Sequence, residues 1–429
     1  MSSSVPVTMS ATLAADQELE HRRQAGERVL FLASGEIGLP VLPALRERLT
    51  EAADRNAYGP VTGSAELRAA AAGYWTRRGL ETGPADVVCG PGSKPLLFAL
   101  LLAVGGTDVV VPVPSWVSYG AQARLAGARP LPVPVRPGEG GVPDPDALRE
   151  AVLSARAAGR DPRCVVVTVP DNPTGTIASP ETVRRLATVA RELDLVVVSD
   201  EIYCDLVFDP ERPAVSPAVF APERTVVTTG LTKNLALGGW RIGIARLPSG
   251  PLGDGLRGRL VGVASQVWSS TAAPMQAAAA YALGEPPEVV AHVAAARRLH
   301  ERVVRKVAAS FTATGARLAP VRATCYLYPD FEPLREALGR VHGVAGGDDL
   351  AALLTDRYGV GVLSGTAFGE ADRSLRIRVA TSRLYGDTDA ERWAALSAPD
   401  PLSLPWIRAS LDRVSEVLTD LTAAFDDRP

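Results

Sequence analysis

The chain has 429 residues, 46% of them hydrophobic, enough for one large buried core and a smaller second one. Its 45 basic and 48 acidic side chains leave a formal charge of −3 and are spread along the sequence, so there is no basic field to grip a nucleic-acid backbone. No apolar stretch approaches the roughly 18 residues of a membrane span, and residues 1–15 lack the basic start and apolar run of a leader; a soluble cytoplasmic protein with neither nucleic acid nor membrane as partner is expected.

Residues 1–28 are predicted to hold a flexible start and a short polar helix. An extended segment over 29–33 runs into Ser34-Gly35-Glu36, and a helix follows over about 43–56. Tyr58-Gly59 and Thr62-Gly63 mark a loop, after which Ser64 caps an amphipathic helix carrying Leu67 and Tyr74. From 87 to 245, short unalternating apolar runs cover 87–89, 108–113, 164–169, 195–199, 225–229 and 242–245. Helices are predicted between or after them at about 94–104, 116–127, 180–192 and 271–283. Such runs make a mainly parallel sheet covered on both faces, a three-layer α/β/α architecture. A long helix over about 287–313 suits a connector. Beyond it, 322–328 and 375–380 alternate like half-buried strands, with helices at 331–339, 348–357 and 406–425, giving a smaller α+β C-terminal domain. The segment 385–405 is predicted to be a loop or irregular insertion. The four cysteines form no CxxC pair and are expected to be reduced and mostly buried; the four histidines sit in no motif.

Ligands of open α/β sheets bind beyond the carboxyl ends of the strands, and five such ends carry Gly or reactive groups. Gly90-Pro91-Gly92-Ser93-Lys94 joins a strand to a helix start, where free N–H groups and a hydroxyl suit a phosphate, although by itself the run reads first as an ordinary strand-to-helix turn. Trp116, in Pro114-Ser115-Trp116, can stack on a flat heterocycle or fill a core. In Pro170-Asp171-Asn172-Pro173-Thr174-Gly175, Asn172 can donate to a phenolic oxygen, or the run is a plain turn. Asp200, in Ser199-Asp200-Glu201-Ile202-Tyr203, ends a buried run and needs a cation: a protonated pyridine nitrogen, or an ordinary ion pair or cap. Tyr203, three residues on, can reach the same ring.

Lysine occurs three times, at 94, 233 and 306, in a chain that otherwise uses arginine for positive charge. Only a primary amine makes a Schiff base, and Lys233, in Thr229-Gly230-Leu231-Thr232-Lys233, follows a strand in a loop of small residues. Arg241, eight residues later in Gly238-Gly239-Trp240-Arg241-Ile242-Gly243, can fork onto a phosphate. Lys306 lies in a charged helix, on a solvated face.

From Gly35 to about Ala380 these segments, in this order, resemble the class I and II aminotransferases of the fold type I pyridoxal-phosphate enzymes, particularly the aspartate aminotransferase-like group of bacteria. The resemblance implies pyridoxal 5'-phosphate as cofactor and Lys233, Asp200 and Tyr203 as catalytic residues. Lys233 would hold the cofactor as an imine, Asp200 would pair with the pyridine nitrogen, and Asn172 and Tyr203 would bond the ring hydroxyl oxygen. Trp116 would stack on the ring. Gly92, Ser93, Thr232 and Arg241 would hold the phosphate, with Lys94 as a helper. Arg376, in Leu375-Arg376-Ile377-Arg378-Val379-Ala380, matches the arginine that clamps the substrate α-carboxylate, with Arg378 assigned to the other side of the strand. Gly35, Trp116 and Asn172 complete the substrate contacts. Tyr58 matches a tyrosine that reaches the phosphate of a neighbouring subunit, implying a homodimer with shared active sites. On this likeness residues 1–55 form an arm and part of the small domain, 56–300 the cofactor-binding domain, and 301–429 the small domain.

The implied activity is transfer of an amino group from an L-amino acid to a 2-oxo acid. Elimination, cyclisation or oxidation of an amino acid by a lyase, cyclase or oxidase would use the same core residues. Departures fall near the substrate: Ser364 replaces a usual Pro, an aromatic is missing from Gly35-Glu36-Ile37-Gly38-Leu39, and 385–405 is extra. No GxGxxG follows an early strand, which disfavours a nicotinamide oxidoreductase.

Overall fold

The computed structural model describes residues 8–423 and 425. Its centre is a seven-stranded sheet of β1 (Val87–Gly90), β2 (Asp108–Val113), β3 (Arg129–Pro134), β4 (Pro162–Thr168), β5 (Val196–Asp200), β6 (Thr225–Gly230) and β7 (Gly243–Arg246), in the order β1-β7-β6-β5-β4-β2-β3. Strands β2 to β6 are parallel, and β7 runs antiparallel to both β6 and β1.

Valine runs build this sheet because β-branched side chains suit a pleated surface and successive residues supply opposite faces. Val109, Val111, Val166, Val196 and Val198 pack into one core under the helix Ser93–Val104. Val110, Val165, Val167 and Val197 pack into another under Pro145–Ala157 and Pro180–Glu192. Those last two helices start cleanly because Asp144 and Ser179 accept N–H bonds from Asp146 and Thr182, with proline at the first position of each helix.

The smaller part is organised on the long helix Pro287–Ala313, which packs against Pro405–Ala423. Tyr326–Leu327, Leu363–Ser364 and Ile377–Ala380 form an antiparallel three-stranded sheet with Ile377–Ala380 in the middle. Leu30–Phe31 pairs in parallel with Val360–Gly361, and Ala380 N–H donates to Leu32 O at 2.7 Å, binding the early chain to this part.

Several elements differ from expectation. Strand β3 escaped the sequence reading because Pro130, Pro132 and Pro134 interrupt it; it is tolerated at the sheet edge, where it pairs only with β2 and the missing N–H groups can face away from the ladder. The segment 385–405 contains a helix, Asp389–Ser397, started by a reciprocal cap between Thr388 and Glu391, and a 3₁₀ turn, Pro401–Ser403. Ile377–Ala380 is buried at every position rather than half-buried, because it lies under helices as well as between strands. Cys89, Cys164 and Cys325 are free and buried, and Cys204 is free and half-buried. Among the described residues no helix is long and apolar enough to cross a membrane, and no His, Cys, Asp and Glu group could hold a metal ion.

Candidate active site

The sheet register sets Thr168, Asp200 and Thr228 side by side at the carboxyl ends of β4, β5 and β6. Tyr119, from the helix Ser118–Leu125, donates its hydroxyl to Asp200 Oδ2 at 2.8 Å and lies 2.8 Å from Thr168 Oγ1; Thr228 Oγ1 donates to Asp200 Oδ1 at 3.3 Å. Burial raises the Asp200 pKa to about 6 despite these hydrogen bonds, and among the described residues no cation forms a salt bridge with it. A buried carboxylate so fixed and so short of positive charge is built for a cation that arrives with a ligand.

Lys233, in the loop after β6, donates from Nζ to Gly35 O at 2.5 Å. Burial lowers its pKa to about 8, with Cys325 opposing and Arg378 adding to the shift. A cavity of about 490 Å³ brings Lys233 and Asp200 together with Ser93, Lys94, Trp116, Asn172, Tyr203 and Thr232. Gly35 and Arg241 line it too.

One end of the cavity is an anion cradle. Gly92, at φ +101°, caps the helix that Ser93 begins, and a Cβ there would run into the Arg241 guanidinium. Arg241 is exposed, donates from Nη1 to Gly238 O at 2.9 Å, and forms no salt bridge among the described residues. Lys94 Nζ lies 5.2 Å from the centre of the Trp116 ring, and burial followed by the charge of Arg241 lowers its pKa. Two cations without acids at a helix N-terminus suit a phosphate.

At the other end the structure corrects the sequence assignment of the arginine. Arg376 is 41% exposed, lies outside the cavity, and is held by Glu370 at 2.9 Å and Asp330 at 3.3 Å. Arg378 lines the cavity instead, fully buried, donating to Asn172 Oδ1 at 3.3 Å and to the Ala33 carbonyl. The assignment of Arg378 to the opposite side of the strand fails because residues two apart share a face; what separates the two arginines is the acidic pair that draws Arg376 away. Asn172 Nδ2 lies 3.4 Å from Tyr203 Oη, which is 3.1 Å from Tyr326 Oη, so the guanidinium is tied to Tyr203 through one amide. A Cβ on Gly35 would come within 3.2 Å of Tyr326 Oη.

Tyr58 does not reach the cavity of its own chain and is 91% exposed. Sequence reasoning assigned no role to Tyr119, Thr168, Thr228 or Tyr326, nor to the helix Ala11–Gln24, whose Thr12, Leu13 and Asp16 line the cavity. Tyr119 carried a usable signal, since it stands one helical turn after Trp116. The threonines become visible only through strand register.

A model of the family described as aminotransferase class I and II matches residues 27–384. The chain belongs to that family. It is 32% identical over 390 residues to an aspartate/prephenate aminotransferase of Thermus thermophilus, covering 90% of this chain and 95% of the relative. A probable aspartate/prephenate aminotransferase of Thermus aquaticus is 38% identical over 241 residues, 55% of this chain and 61% of that one. The structure of the Thermus thermophilus aspartate aminotransferase with maleate superposes with a TM-score of 0.80 at 29% identity, covering 96% of this chain and 97% of that one. The aminotransferase is therefore a pyridoxal-phosphate-dependent enzyme that transfers an amino group between an amino acid and a 2-oxo acid. Its site fits the cofactor on independent grounds: a half-buried amine of lowered basicity, a buried acid short of a cation, and an anion cradle line one cavity.

Proposed function

We propose that Lys233 both anchors the cofactor and moves the proton of the reaction, with Asp200, Asn172, Tyr203 and Arg378 fixing what it works on. The bound cofactor supplies a conjugated electron sink for the substrate Cα. Asp200, its two oxygens held by Tyr119 and Thr228, would hold the ring nitrogen of the cofactor in its protonated form. Asn172 and Tyr203 would bond the ring hydroxyl oxygen, and Trp116 would cover one ring face. Ser93, Thr232 and Arg241, with Gly92 leaving room and Lys94 adding charge, would hold the phosphate.

Arg378 takes the substrate α-carboxylate in its planar fork, and Asn172 keeps that fork in register with the ring. Lys233 Nζ, in its neutral form, would take the substrate Cα proton and give it back later in the cycle. A pKa near 8, set by burial, leaves a useful neutral fraction of this amine at mildly alkaline pH. Water is consumed as the amino acid leaves as a 2-oxo acid and is returned when a second 2-oxo acid takes the amino group, so the net reaction exchanges only the amino group.

The observation that carries this reading is a half-buried Lys233 and a buried carboxylate without a salt-bridge partner among the described residues, lining one cavity. The enzyme acts in the cytoplasm as a homodimer, with exposed Tyr58 reaching the phosphate bound by the partner subunit. The near balance of charge supports the absence of nucleic-acid partners. The test is the visible absorption of the holoenzyme as single amino acids are added without a 2-oxo acid. Loss of the lysine-bound cofactor band with one equivalent of 2-oxo acid released per site is expected. Continuous release of ammonia or peroxide with the band retained would replace transamination by elimination or oxidation.

A further inference from the structure

The charged groups of the cavity are Lys94, Lys233, Arg241, Arg378, Asp16, Glu36 and Asp200. On the proposed function the phosphate would take Lys94 and Arg241, the ring Asp200, the cofactor carbonyl Lys233, and the α-carboxylate Arg378. What this assignment leaves for the substrate side chain is negative: Asp16 and Glu36.

Asp16 projects from the helix Ala11–Gln24 and is the better placed of the two. Its Oδ2 accepts from Ser34 Oγ at 3.0 Å, whereas its Oδ1 is buried and has no hydrogen-bond partner among the described residues. No salt bridge reaches it among the described residues; Arg383 and Arg378 act on it only through space, and burial outweighs them to push its pKa up. Thr12, one helical turn earlier, has a hydroxyl that is likewise buried and unpartnered. Glu36, by contrast, is 69% exposed and is partly neutralised by Arg383 at 3.6 Å. Leu13 and Ile37 line the same cavity and offer apolar surface to a methylene chain. An apolar stretch beside an unmatched carboxylate is complementary to an alkyl chain that ends in a cation.

We propose that Asp16 is a specificity-determining residue which selects amino donors whose side chain ends in an amino or guanidino group. The proposal rests on the transaminase reading with Arg378 at the α-carboxylate. Asp16 accepts N–H bonds from the distal cation through Oδ1, with Thr12 Oγ1 as a second acceptor. A dicarboxylic donor brings a second negative charge to the same place and meets repulsion.

The experiment compares L-ornithine, L-lysine and L-arginine with the uncharged L-norleucine and with L-aspartate in the holoenzyme half-reaction, for wild type, Asp16→Asn and Asp16→Glu. Dissociation constants of α-methylornithine and α-methylaspartate, which have no Cα proton to lose, are read separately by calorimetry. For wild type, at least one basic donor should exceed L-norleucine by roughly tenfold to a hundredfold in kcat/KM, the range expected for hydrogen bonds to a charged group. Asp16→Asn should bring that ratio to within about threefold and weaken α-methylornithine relative to α-methylaspartate; Asp16→Glu should restore part of it. Wild-type turnover of L-aspartate or L-norleucine in preference to every basic donor overturns the Asp16 assignment and leaves the transaminase reading intact. Ratios unmoved by Asp16→Asn overturn it as well. Release of no 2-oxo acid from any donor overturns the reading and the proposal together.

Discussion

Replacing Arg378 by Met should nearly abolish use of the substrate α-carboxylate, whereas the same change at Arg376 should be mild. Arg378 is fully buried, is held by Asn172 and Ala33, and lies 5.0 and 5.1 Å from the ring centres of Tyr326 and Phe368. A carboxylate in its fork gains two hydrogen bonds between charged groups, each worth about 1.5–3 kcal/mol. Their loss amounts to about 3–6 kcal/mol, or roughly 10²- to 10⁴-fold in kcat/KM. Arg376 offers only half-exposed ion pairs, worth about 0–1 kcal/mol, so kcat/KM for Arg376→Met should stay within roughly fivefold of wild type. Half-reaction kinetics with one donor, alongside thermal melts of both variants to exclude unfolding, give the comparison. A folded Arg376→Met protein that loses a hundredfold or more while Arg378→Met loses little would refute the geometric assignment.

Lys233→Ala should lose the visible band of lysine-bound cofactor and all measurable 2-oxo acid release, as read by absorbance and product assay. Because burial lowers the Lys233 pKa to about 8, and the neutral amine is the nucleophile, uptake of cofactor by apoenzyme should accelerate as pH rises through about 8; a rise only near 10.5 would refute the shift. Asp200 has its folded pKa raised from 3.8 to about 6, so the folded apoenzyme binds the extra proton, and stability should fall as pH climbs between those values. Cofactor should offset that fall, and Asp200→Asn should flatten the apoenzyme melting profile over the same window while loosening the cofactor. Tyr58→Ala should raise the cofactor dissociation constant by roughly tenfold to a hundredfold, the value of a hydrogen bond to a charged group. Dimers mixed from Tyr58→Ala and Lys233→Ala chains then test sharing: one site per mixed dimer should carry neither change, and its tight-binding activity should exceed that of either parent.

The large sheet was legible because its strands are continuous valine runs, and chemistry at a strand end is written next to the run itself. Lys233, Asp200 and Asn172 each follow such a run within a few residues. What failed depended on distant partners. Arg376 and Arg378 are indistinguishable by alternation, and the choice between them is made by Asp330, 46 residues away, and by Glu370. The helix Ala11–Gln24 carries Leu19 as its one buried residue, so no apolar stripe marks it as part of a site wall. Leu19 seats against Gly361, where a Cβ would collide with it, and that contact spans most of the chain. Strand β3 was hidden by its prolines, whose tolerance depends on its place at the sheet edge.

The contribution of Thr12, Leu13 and Asp16 to the cavity has a practical side for engineering. These positions and Ile37 touch the space for the side chain, yet stand on segments separate from the strand that ends at Asp200 and the loop that carries Lys233. A small combinatorial library confined to these four positions would therefore explore new donors while leaving untouched every residue assigned to the phosphate, the ring and the proton.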